Sequence, residues 1–126
     1  MNVVFENLSL KKCNQLLSNV DFYEKQIEAL EMMLNDVMTR FTNKISFDKK
    51  LWYTKLFEEK KESLTLMKLK LENAKMAMNH SALTEVEGEE NDSYKQIKKM
   101  SIEVYNLEKE INELSKSLKL FLIDIL

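Results

Sequence analysis

The sequence predicts an all-α protein, either an elongated antiparallel coiled-coil hairpin or a three-helix bundle, and three observations predict it. The chain of 126 residues has no proline and one glycine, and 32% of it is charged, a composition suited to long helices rather than to sheets or loops. Two long segments repeat apolar residues in steps that alternate between 3 and 4, the spacing of a coiled-coil seam. Only two short stretches carry residues that end helices. Length sets one domain, residues 1–126.

The first helix is expected over about 8–43. Its apolar positions run Cys13, Leu16, Val20, Tyr23, Ile27, Leu30, Leu34, Val37 and Phe41. The chain then meets "TNKISFDKK", where this frame fails and where Ser46 or Asp48 is suited to cap a new helix.

The second helix is expected over about 48–80. Leu64, Met67, Leu71, Ala74 and Met78 keep the 3/4 spacing, whereas Leu66, Leu69 and Met76 put apolar groups on a second face. A helix that is apolar on more than one face packs on more than one neighbour or offers a surface to a partner.

The stretch "SALTEVEGEEND", residues 81–92, holds the one glycine among five acids and no base. Gly88 frees the backbone and the carboxylates repel one another, so these residues are expected to be an acidic connector. Ser93 followed by Gln96 has the capping-box pattern that would open the third helix, over about 93–125. Its seam is Ile97, Met100, Val104, Leu107, Ile111, Leu114, Leu118, Phe121 and Ile125. The terminal seams can pair with each other, bringing the two chain ends together, or with another molecule.

Charge is segmental. Residues 44–80 carry nine bases and five acids, whereas 81–92 carry five acids alone. The lysines of the middle segment are either a face for an acidic partner or a solvated face balanced by glutamates. Arg40 is the one arginine among 19 bases, which argues against nucleic-acid binding, because bidentate recognition uses the guanidinium fork. No apolar run is long enough to span a membrane. The start, "MNVVFENLSLKKC", has no basic region ahead of its apolar residues, so a cytoplasmic, unprocessed chain is expected.

Nothing in the sequence points to catalysis or to a cofactor. Cys13 is the single cysteine and His80 the single histidine, so no Cys/His cluster binds zinc and no internal disulfide forms. Cys13 on an apolar stripe reads as a small core residue, and His80 as a dipole-compatible residue near a helix end. One glycine builds no phosphate-cradling loop. Pairs such as Glu58 with Glu62, or Glu110 with Glu113, read as solvated faces rather than as general acid and base. The expectation is a protein that is not an enzyme.

Recognition remains. Trp52, Tyr53, Leu56 and Phe57 cluster after the first break, as either interface anchors or bundle core. The tail "LKLFLIDIL", with Leu118, Phe121, Leu122 and Ile125, is too short to cross a bilayer and too apolar to hang in water. These aromatics, Leu64 and the tail form the expected partner-binding set: Trp52, Tyr53, Phe57, Leu64, Leu118, Phe121, Leu122 and Ile125.

The stretch with Asp48-Lys49-Lys50, Leu56-Phe57, Leu64-Thr65 and Leu71-Glu72-Asn73 resembles the middle of small FliJ/YscO-type proteins of type III secretion systems, over about 26 residues. That resemblance implies a stalk that enters a hexameric export ATPase, promotes its turnover, reaches the export gate and holds chaperones. Carried over by position, Leu8 to Leu16 and Leu118 to Leu126 would occupy the ring, and Trp52, Phe57 and Leu64 would face the gate. ATP would be bound by the partner. The family is usually a symmetric hairpin with a mid-chain tip, whereas the breaks here fall before residue 50 and after residue 80. A second reading, from the tryptophan near a mid-chain turn, is similarity to helical partners of WXG-type type VII secretion substrates, although no Y-x-x-x-D/E signal follows the last helix. A third is a structural coiled-coil subunit of a larger complex.

Overall fold

The computed structural model describes the backbone of residues 2–41, 47–84 and 87–126, and the side chains of 8–41, 47–79 and 94–126. The described residues form three helices: α1 (Asn2–Arg40), α2 (Phe47–Thr84) and α3 (Glu87–Ile125). Each is 38 or 39 residues long, about 58 Å at 1.5 Å per residue. The fold is the all-α one expected, with no strand among the described residues.

The helix bounds differ from expectation. α2 continues to Thr84 and α3 starts at Glu87, so most of the supposed connector 81–92 is helical and Gly88 lies in the first turn of α3. Ser93 sits well inside that helix, and its S-x-x-Q pattern does not open it. The physical reason is the helix dipole: Glu87, Glu89 and Glu90 fall in the first turn, where negative charge is favoured. One glycine costs only about 1 kcal/mol. The side chains of 80–93, that of His80 included, lie outside the described residues, as do residues 42–46 with Ser46. Asp48 occupies the first turn of α2.

Each helix packs on both of the others. α1 and α2 run antiparallel, with Cys13 against Leu71, Asp21 against Lys68 and Glu31 against Lys61. α2 and α3 are antiparallel too, through Lys70–Glu103, Lys60–Glu110 and Tyr53–Ser117. α1 and α3 are consequently parallel. Asn112 Nδ2 donates to the Tyr23 hydroxyl at 3.4 Å, and Leu8 and Lys12 share a groove with Ile97 and Ser101.

This arrangement corrects one of the two alternatives open to the terminal seams, in which pairing with each other unites the chain ends. The seams do meet, in one core shared with α2, but in parallel. Leu8 to Leu16 therefore lie at one end of the rod and Leu118 to Leu126 at the other. The core contains the expected positions of all three helices, with Tyr23, Phe41, Leu107 and Phe121 only partly buried against it.

Candidate functional site

Tyr53 organises the end of the rod where α2 begins and α3 finishes. It lies one and a half turns into α2, on the face turned to α3, and is 2% exposed. Its hydroxyl shares a 3.0 Å hydrogen bond with Ser117. Phe121, one turn further along α3, puts its ring 5.4 Å from that of Tyr53, and Phe57 stacks at 6.3 Å on the other side. A buried tyrosine ring with a partnered hydroxyl is satisfied at both its apolar and polar ends.

Trp52 packs edge-on against Tyr53, 4.8 Å between centroids, yet is 49% exposed. Lys49 reaches over the cluster, its Nζ 4.8 Å from the Trp52 ring, 5.5 Å from Phe121 and 5.8 Å from Tyr53. Cation–π contacts at exposed sites contribute about 0.5–1 kcal/mol, enough to orient the lysine and the indole together. Phe47 and Leu51 on α2, with Leu120, Ile123 and Leu126 on α3, are exposed at the same end.

The expected partner-binding set divides. Trp52 is exposed and Phe121 partly buried, but Tyr53, Phe57, Leu64, Leu118, Leu122 and Ile125 are all in the core. Those six are unavailable to a partner in the folded bundle, because each lies on the inward stripe of its helix. The apolar tail is split by helical periodicity rather than offered whole: Leu118, Leu122 and Ile125 turn inward and Leu120 and Ile123 outward. Phe47 and Leu51 were missed, and Leu120, Ile123 and Leu126 entered only within the stretch Leu118 to Leu126 that the resemblance placed in the ring. Their signal was present as apolar residues that fall between the seam positions.

Much of the basic middle segment is spent within the fold. Lys60, Lys61, Lys68 and Lys70 pair with Glu110, Glu31, Asp21 and Glu103 across helix boundaries. The hydrogen bond to Asp21, the Asp21 charge and the nearby Glu24 and Glu72 raise the Lys68 pKa. Such exposed pairs set register more than they add stability. Cys13 is buried, donates through Sγ to the Leu71 carbonyl at 3.2 Å, and has its thiol pKa pushed up by burial, with Lys75 opposing.

A groove of about 340 Å³ lies between the first halves of α1 and α3, walled by Leu8, Tyr94, Ile97 and Ile102 with Lys12 and Lys98 at its sides. Among the described residues no group of three or more metal-ligating side chains is brought together. Among the described residues no helix is long and apolar enough to cross a membrane. Compared with protein families, characterised proteins and solved structures, the chain matches none of them.

Proposed function

We propose that this chain is a non-enzymatic adaptor: a helical rod that docks a protein partner at the end carrying Trp52. The observation that carries this reading is the half-exposed tryptophan held edge-on by Tyr53 beneath Lys49, at the end that also exposes Phe47 and Leu126. A rigid aromatic anchor beside a cation, at an end that also exposes apolar groups, has the make-up of a binding hot spot.

The export-ATPase stalk is the most concrete form of this reading, and it rests on the sequence resemblance. The parallel α1 and α3 require it to be altered. Leu8 to Leu16 and Leu118 to Leu126 are too far apart to enter one ring together, so a single end of the rod would do so, with Trp52 at that end instead of at a distant gate. Cytoplasmic residence belongs to the same proposal.

The test is a photo-crosslinking side chain at position 47 or 126, read against the same probe at position 76, about three quarters of the rod away at 1.5 Å per residue. Adduct formation with one partner from the end positions, lost in a Trp52→Ala chain of unchanged helicity, is the expected result. Equal labelling from all three positions overturns the docking end. Adding the chain to a purified hexameric secretion ATPase tests the stalk form separately. A rise in ATP turnover supports it, and an unchanged rate removes it while leaving the adaptor reading in place.

A further inference from the structure

α2 and α3 each carry a second stripe, on the side turned away from the core. On α3 it consists of Lys98, Ile102, Tyr105, Lys109, Asn112 and Lys116, in steps of 3 and 4, and all six are exposed. On α2 it consists of Glu58, Glu62, Leu66, Leu69, Asn73 and Met76, again in steps of 3 and 4 and again all exposed. Steps of this kind make a continuous face along a helix. The α3 face touches α1 at its edge, where Asn112 donates to Tyr23 and Lys98 and Ile102 border the groove shared with Leu8. The rest of both stripes makes no hydrogen bond or ion pair to another helix among the described residues.

The two faces are complementary. Each has apolar side chains, Ile102 and Tyr105 on one and Leu66 and Leu69 on the other, more than half exposed. The α3 stripe has three lysines and no acid, whereas the α2 stripe has two glutamates and no base. Among the described residues none of Lys98, Lys109, Lys116, Glu58 and Glu62 takes part in a salt bridge. Lys60, Lys61, Lys68 and Lys70 of α2, by contrast, pair with neighbouring helices of the same bundle. A groove of about 310 Å³ already runs along α3 beside Tyr105, Lys109, Asn112 and Lys116, edged by Glu108 and Glu113.

Laid antiparallel, the stripes match in one register. Glu58 falls opposite Lys116, Glu62 opposite Asn112 with Lys109 one turn along, Leu69 opposite Tyr105, and Met76 opposite the aliphatic stem of Lys98. The geometry points to a second copy of this chain as the occupant: the α2 stripe of one molecule seats on the α3 stripe of the next. This is the antiparallel sense in which α2 and α3 already pack inside each bundle, so neighbouring rods stand side by side and level. The contact is heterologous, since different faces meet, and repetition closes a ring or extends an array according to the rotation between copies. It leaves the Trp52 end of every rod open.

Paired charge reversal with sedimentation velocity tests this. The native chain is expected to associate as concentration rises, and less so in high salt. Reversal of one stripe, Lys109→Glu with Lys116→Glu, or of the other, Glu58→Lys with Glu62→Lys, puts like charges together and is expected to raise the dissociation constant by roughly tenfold or more. An equimolar mixture of the two variants restores association, because each reversed stripe then finds an opposite one, and only folded chains can do this. A native chain that stays monomeric at every concentration overturns the proposal, as does a mixture that fails to re-associate.

Discussion

The hydroxyl of Tyr53 on α2 meets that of Ser117 on α3 at 3.0 Å, beneath a ring buried between Phe57 and Phe121. One side chain thus ties the start of the second helix to the close of the third by both packing and a hydrogen bond. Tyr53→Phe keeps the packing and is expected to cost about 0.5–1.5 kcal/mol, the net value of one hydrogen bond. Tyr53→Ala loses the ring as well and is expected to cost about 3–5 kcal/mol. Urea unfolding followed by circular dichroism separates the two.

Leu69 and Leu71 are two residues apart on α2 and differ completely in surroundings: Leu71 is wholly buried and Leu69 is 55% exposed. Leu71→Ala is expected to destabilise by about 2–5 kcal/mol through the cavity it leaves. Leu69→Ala in the dilute chain should stay within about 0.5 kcal/mol of native. Equal effects would mean that the inward and outward faces of α2 are misassigned.

Burial raises the Cys13 thiol pKa, and hydrogen bonding with Asp21 raises that of Lys68. Both folded values lie above the unfolded ones, so stability falls as pH climbs from the unfolded value through the folded one: Lys68 loses a weak, solvent-screened attraction to Asp21, and the Cys13 thiol can ionise in place only against the cost of its burial. Stability is therefore expected to decline in the alkaline range. A thiol reagent should label Cys13 only when the bundle opens, which rapid labelling of the native chain at neutral pH would contradict.

Gln26 Oε1 on α1 is buried without a hydrogen-bond partner. Replacing the amide by an apolar side chain of similar length removes that desolvation cost, and Gln26→Met is expected to stabilise by about 1 kcal/mol. A fall in the urea midpoint would show that the amide is satisfied in solution.

The core was legible in the sequence because a 3/4 repeat of apolar residues has one structural meaning, and Cys13 to Val37 and Ile97 to Leu118 follow it without exception. Leu66, Leu69 and Met76 were legible as a second face for the same reason. The start of α3 was misjudged because repulsion among the acids of 85–92 was weighed above their attraction to the helix N-terminus. The site was harder. Trp52, Tyr53 and Phe57 are alike in hydrophobicity, and the 3/4 repeat of Leu64 and Leu71 run backward would have separated them, since it passes through Phe57 and Tyr53 and misses Trp52; the charged Lys60 in that repeat hid the continuity. The parallel sense of α1 and α3 was hidden likewise, since a heptad repeat reads the same in both directions.

Because the second helix folds back between them, the first residues of α1 and the last of α3 lie at opposite ends of a bundle about 58 Å long. Tension applied through the two ends of the chain runs along the helix axes. The interfaces must then slip past one another together rather than peel apart turn by turn. Shear of that kind loads every seam residue at once, so the rod can bear force as a strut where a hairpin with adjacent ends would unzip.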